Sequence, residues 1–271
     1  MKVTDLTERY IEHVPGGNNL SAYRSSYPAL FSHYFEFFGN EQRWAPRLDA
    51  DQTRRKLQLV KGRLPAMEQA FSRFGLEVRD QRLVLFVGQG TSNGHAFRDG
   101  EEFVVWIPVE TYATPSDVDV FVTHEIAHAL HYTRSPGFYF DTLTDQRRMS
   151  RQLVTEGIAT YLTVKVMGVS EEEALWADYL SPQGIETWME TCRRQWDQLK
   201  RFTLDNFEDS DEAAAFFWAI PENDVFGNRG GYYVGLKIVE EIADRKKLTP
   251  IDLLGLPKDE ILALTREALR S

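Results

Sequence analysis

Residues 123–131 read Thr-His-Glu-Ile-Ala-His-Ala-Leu-His, and the His124-Glu125-x-x-His128 pattern inside them constrains the chain more than any other feature. Two histidines four residues apart stack one turn apart on one side of a helix, so both imidazoles can reach a single tetrahedral zinc ion. The spacing has meaning only on a helix. Thr114-Pro115-Ser116-Asp117 predicts that helix, with an N-cap, a proline suited to the first turn and an early acid upstream of the motif. At about 100° per residue, His124 and His128 fall about 40° apart, while Val118, Val122, Ile126 and Ala129 gather on another sector. The helix is therefore expected to bury one side and present the histidines on the other. Glu125 stands between the two faces, where its carboxylate can act on a water at the metal without being a ligand.

A catalytic zinc site takes three protein ligands and a water. The chain has 6 His and 1 Cys, Cys192, which leaves no thiolate-rich structural site and few further imidazoles. The metzincin pattern would place Gly at residue 131 and His at residue 134, where this chain has His131 and Arg134. His131 also lies about 10 Å along the helix from His124, too far to share its ion. The best third ligand is Glu156, in the apolar stretch Leu153-Val154-Thr155-Glu156-Gly157-Ile158-Ala159. A lone carboxylate there is costly unless it meets a cation or donors. Gly157 beside it costs a helix about 1 kcal/mol, which makes sense if another helix must approach closely. Asp141 and Asp145 are the competing ligands. One zinc ion is the expected cofactor.

Around the motif, residues 22–74 read as helix, with Leu57, Val60, Leu64, Met67 and Phe71 at spacings of three and four and Pro65 expected to kink or divide the helix. Residues 76–109 change to strand grammar. Leu83 to Val87 is a short apolar run, Glu102 to Val109 alternates with Val104 and Trp106 on one face, and Asp99-Gly100 supplies a hairpin turn. Because Pro108 cannot donate a ladder hydrogen bond, the second strand is expected at a sheet edge. From Ser116 onward the chain reads as helix: 116–131, 145–167, 171–180, 182–202, 211–219, 231–243 and 258–269. The expected fold class is α+β and mostly helical, a single domain over 1–271 with approximate lobes 1–132 and 133–271.

The 31 Lys and Arg against 41 Asp and Glu give a net charge of −10 without a basic block, which disfavours nucleic acid as a partner and makes very acidic peptides poor ligands. No apolar run reaches the roughly 18 residues of a membrane span. Residues 1–17 are charged where a leader peptide would be apolar, and the single Cys suits a reducing compartment, so a cytoplasmic location is expected.

His124-Glu125-x-x-His128 followed by Glu156-Gly157-Ile158-Ala159 resembles the gluzincin metallopeptidases, and in particular the bacterial predicted zinc-dependent proteases. Their late Gly-Tyr-x-x-Gly helix start is matched by Gly231-Tyr232-Tyr233-Val234-Gly235. The likeness runs from about Phe103 to Ile242. It implies a thermolysin-like arrangement in which a small sheet with an edge strand packs on the active-site helix, followed by a helical C-terminal lobe carrying the third ligand. On that reading the protein hydrolyses peptides or proteins, with Glu125 as general base at a zinc-activated water. Tyr232 is the first choice to stabilise the oxyanion, ahead of Tyr233 and His95. The strand carrying Val104 and Trp106 would hold the substrate by strand addition.

Two rival readings remain on the sequence. One is a metal-binding interaction or sensor protein on a peptidase-like fold, against which Glu125 argues, since a structural zinc needs no spare carboxylate. The other is a nucleotide-binding loop at Gly88-Gln89-Gly90-Thr91-Ser92-Asn93-Gly94, against which the hairpin that follows argues, because a phosphate loop should open a helix.

Overall fold

In the computed structural model, which describes residues 1–14, 19–140, 142–177, 179–219 and 224–271, the chain divides into two compact units, 1–129 and 130–271. The first unit holds the strands β1 (Lys2–Asp5), β2 (Arg82–Phe86), β3 (His95–Asp99) and β4 (Glu102–Pro108). It also holds the helices α1 (Thr7–His13), α2 (Leu20–Arg24), α3 (Pro28–Phe37) and α4 (Ala50–Arg73), together with most of α5 (Pro115–Arg134). A mostly helical α+β chain with a small sheet is what the sequence leads one to expect; that the sheet is mixed is not.

The apolar spacing of α4 works as its period demands: Leu57, Val60, Leu64, Met67 and Phe71 are all buried. The helix is closed at its start by a reciprocal capping box between Asp49 and Gln52. It runs unbroken through Pro65, which does not divide it as expected. Pro65 lies on the exposed face, so the acceptor it leaves unbonded one turn earlier falls on the solvent side.

The sheet order is β1-β2-β4-β3, with β1–β2 and β2–β4 parallel and the β3–β4 hairpin antiparallel. The strand expected at an edge is therefore interior. The residue that misled is Pro108, which pairs with Phe86 at the last position of β4. On the other side β3 reaches only to His95, opposite Trp106. The N–H that proline lacks falls where β3 has ended, and Val109 supplies the next donor to the Phe86 carbonyl at 2.9 Å. Val104 and Trp106 are fully buried. On one face of the sheet, Phe31 and Tyr34 of α3 meet the ring of Phe86 edge-on at 6.0 and 5.4 Å, and Trp106 joins the same aromatic layer.

The second unit is helical: α6 (Leu143–Arg147), α7 (Met149–Met167), α8 (Glu171–Trp176), α9 (Pro182–Arg194), α10 (Trp196–Asp205), α11 (Asp211–Phe217), α12 (Gly230–Lys246), α13 (Pro250–Leu254) and α14 (Lys258–Arg270). Two helices expected to be continuous are divided. Arg148, in extended backbone with ψ 126°, separates α6 from α7, and Gln195 separates α9 from α10. The centre of the unit is α7 against α12. A Cβ at Gly157 would lie 2.5 Å from the Gly235 carbonyl oxygen, and one at Gly235 would lie 2.7 Å from that of Leu153. The close approach that Gly157 implied is thus real, and its partner is a second glycine.

Among the described residues no helix is long and apolar enough to cross a membrane.

Candidate metal centre

Helix α5 is fixed at its start by the residues that predict it. The Asp117 carboxylate accepts the amides of Ala113 and Thr114 at 2.8 and 3.0 Å, and the Thr114 hydroxyl accepts the Asp117 amide at 3.1 Å. One turn on, Asp119 takes a bidentate pair from Arg63 of α4 at 2.8 and 2.6 Å. Val118, Val122, Ile126 and Ala129 are fully buried, as the wheel requires. The motif face is nearly as enclosed: His124, Glu125 and His128 are 8, 7 and 5% exposed, so a charge or ion here is shielded from water and interacts strongly with its neighbours.

The two imidazoles turn the same nitrogen toward one point, with His124 Nε2 and His128 Nε2 3.0 Å apart. A tetrahedral zinc with bonds of about 2.0–2.1 Å holds its ligand atoms roughly 3.3 Å from one another, so this spacing suits a shared ion. Among the described residues, His124, His128 and Glu156 are the group that could hold a metal, offering one ligand atom each, all within 4.8 Å of one another. Asp145, a rival for the third place, is engaged elsewhere: it accepts from the Thr142 hydroxyl at 2.8 Å and pairs with Arg148 at 3.5 Å. Asp141 lies outside the described residues. His131 is buried with its ring 4.8 Å from that of Phe138, in the hydrophobic packing of the second unit.

Glu125 is pressed by backbone that the motif does not reveal. Gly94, just before β3, has φ +144°, and a Cβ there would meet Glu125 Cγ at 2.6 Å. The loop that delivers Gly94 is tied down: Ser92 Oγ donates to the Gly94 carbonyl at 2.8 Å, Thr111 Oγ1 to the Ser92 carbonyl at 2.9 Å, and Tyr112 Oη to the Asn93 carbonyl at 2.5 Å.

The same loop disposes of the phosphate-cradle reading. Its amides at Gly88 and Gly90 already donate to one carboxylate oxygen of Glu110, at 2.9 and 3.0 Å. Burial raises the Glu110 carboxyl above its ordinary value, opposed by the two glycine amides and the nearby Arg47 charge. The anion this loop cradles is the chain's own.

The remaining sequence candidates separate clearly. His95 stacks on His33 at 5.4 Å and packs against Trp106 and Phe38 at 5.0 Å each. Tyr233 is a core residue between Trp188 and Trp196, 5.9 Å from each ring. Tyr232 is at the first turn of α12, with the Phe217 ring at 5.6 Å and the Arg229 guanidinium 4.2 Å from its ring centre. Val104 and Trp106 belong to the interior strand. Gly94, Glu110 and Arg229 had no signal in the sequence: each acquires its role from a neighbour distant along the chain or from a backbone angle.

Residues 57–263 match the family described as predicted Zn-dependent protease (DUF2268). The chain belongs to that family. The match takes in most of α4 and all of the sheet except β1, well beyond the stretch from Phe103 to Ile242 that carries the motifs. No curated protein and no solved structure matches the chain.

Proposed function

We propose that this member of the predicted Zn-dependent protease family is a peptidase that holds one zinc ion on His124, His128 and Glu156. The observation that carries the reading is the two Nε2 atoms 3.0 Å apart on a buried helix face, with a Glu156 oxygen in the same group. Zinc in such a site acidifies a water and polarises a carbonyl. Glu125 is the general base: its carboxylate takes the proton of the attacking water and gives it to the departing amine nitrogen. The backbone of Gly94 against Glu125 Cγ limits the rotamers open to that carboxylate, so its oxygens are aimed before substrate arrives.

Tyr232 is the proposed hydroxyl donor to the oxyanion. Its ring is gripped by Phe217 and Arg229, which supports a defined direction for the hydroxyl. An extended peptide can pair with β3, which has β4 on one side only among the described residues. Strand addition to β4 itself is precluded by its two neighbours, so Val104 and Trp106 are structural.

Metal analysis joined to a peptide-library assay tests the reading. The expected result is one zinc per chain, hydrolysis that disappears with a chelator and returns with zinc, and loss of bound zinc in His124→Ala and Glu156→Ala. Full zinc content in Glu156→Ala would remove Glu156 from the site. Hydrolysis indifferent to chelation would remove the metal from the reaction.

A further inference from the structure

Two arginines of the second unit are buried, and they are treated differently. Arg151, 6% exposed, is satisfied along its whole edge: it donates to the Phe138 carbonyl at 2.6 Å, the Gln146 carbonyl at 3.2 Å and the Tyr132 hydroxyl at 2.9 Å. Arg229 is 9% exposed, and its guanidinium has no carboxylate or other hydrogen-bond acceptor among the described residues. Its Nε is shut off from solvent and unbonded. Two aromatic rings lie against this guanidinium, whose Cζ is 4.2 Å from the Tyr232 ring centre and 5.2 Å from that of Trp176. Stacking of this kind holds a guanidinium rigidly and leaves its in-plane N–H fork for a planar, bidentate acceptor. A buried charge left without such an acceptor is costly, which is the state a ligand relieves.

The surroundings favour an anion further. Arg229 is the N-cap of the 17-residue helix α12, whose first residues are Gly230 and Gly231, so it stands at the positive end of the helix dipole, beside first-turn amides that have no partner within the helix. Both residues lack side chains, and a Cβ at Gly231 would strike the Phe217 ring at 2.6 Å. Arg229 also holds a left-handed backbone, φ +61°, which glycine would adopt without strain and which here is retained by a large cationic residue.

We propose that Arg229 and the first turn of α12 form a carboxylate-binding site that fixes a carboxylate group of the peptide substrate. The identity of the ligand as a peptide rests on the peptidase reading; the anion site itself rests on Arg229. Arg229 precedes by six residues, or about 9 Å along α12, the Gly235 that crosses Gly157 next to Glu156. A carboxylate held there lies within the span of about three extended substrate residues from that crossing. The site takes one carboxylate, in keeping with a chain of net charge −10 that repels strongly acidic peptides.

The test compares one peptide sequence in three forms: free C-terminal acid, C-terminal amide, and amide with a Glu placed near the end. Wild type should cleave one of the two carboxylate forms with kcat/KM about tenfold or more above the plain amide, mainly through KM. A preference for the free acid assigns the chain terminus as the source, and a preference for the Glu amide assigns a side chain. Arg229→Gln should bring that ratio to about one, and Arg229→Lys should keep part of it. Arg229→Gly, which suits the backbone angle, should fold and behave like Arg229→Gln. An unchanged ratio in Arg229→Gly overturns the site. Independently of hydrolysis, the ¹⁵N resonance of Arg229 Nε in zinc-free protein should shift on titration with an N-acetylated dipeptide acid and not with its amide. That shift without hydrolysis would uphold the anion site while the peptidase reading falls. Hydrolysis with neither a shift nor acid–amide discrimination would overturn the anion site and leave the peptidase reading standing.

Discussion

A single methyl group tests the account at Gly94. With φ +144° and Glu125 Cγ 2.6 Å from where a Cβ would stand, Gly94→Ala must strain its own backbone and push Glu125, the proposed general base, aside. We expect a stability loss of about 1–3 kcal/mol and a fall in kcat of the order of a hundredfold with zinc content retained. Gly100→Ala is the control, because Gly100 also has positive φ (+66°) but open space around it. Equal kcat losses in the two variants would mean that strain and not the clash is responsible. A second residue-scale prediction concerns His33, whose imidazole burial depresses from the usual 6.5 to about 4. Between those values the unfolded chain binds a proton that the folded chain refuses. Stability should therefore fall as the pH drops from about 6.5 to 4 and level off below, by about 1–2 kcal/mol once partial exposure is allowed for. Urea denaturation of zinc-free protein checks this, with His33→Phe expected to show a shallower dependence; identical pH slopes would refute it. The grouping of His124, His128 and Glu156 was readable because i, i+4 spacing on a helix is local geometry, and because a carboxylate in an apolar helix demands a cation. Gly94 and Arg229 were not, since a clash or an unanswered charge exists only once distant segments meet.

At the scale of elements, the crossing of α7 and α12 depends on two glycines whose carbonyls and α-carbons nearly touch. Gly157→Ala gains about 1 kcal/mol of intrinsic helix propensity yet drives a methyl group into the Gly235 carbonyl. We expect a net destabilisation of about 1–3 kcal/mol, together with weaker zinc binding, because Glu156 is the adjacent residue on α7. A variant as stable as wild type in urea, with unchanged zinc affinity, would contradict the crossing. The sequence announced that some helix must approach Gly157 but could not say which, since small residues mark closeness without naming a partner. It misplaced β4 for a related reason. Proline excludes a donor at one position, and whether that costs a ladder bond depends on where the neighbouring strand stops. The β3–β4 hairpin, fixed by the local turn at Gly100, was legible; the parallel β1–β2–β4 pairing, made across long segments, was not.

For the whole molecule, a metal that binds only the folded chain must stabilise it by mass action. Zinc at about a thousand times its dissociation constant adds about 4 kcal/mol, or about 10 °C in Tm for a chain of this size. Calorimetry with and without chelator should show a rise of that order, reduced in His124→Ala. An equal Tm in both conditions would mean that no ion is held by the native fold. Stabilisation alone would also suit a metal-binding protein that catalyses nothing, and what separates the two is the role given to Glu125, which touches no metal in this account. The most direct measurement is therefore peptide hydrolysis by Glu125→Gln and wild type at matched, verified zinc content. We predict full zinc occupancy in the variant and a loss of activity of about 10²–10⁴-fold. Hydrolysis at the wild-type rate by zinc-loaded Glu125→Gln would contradict the mechanism.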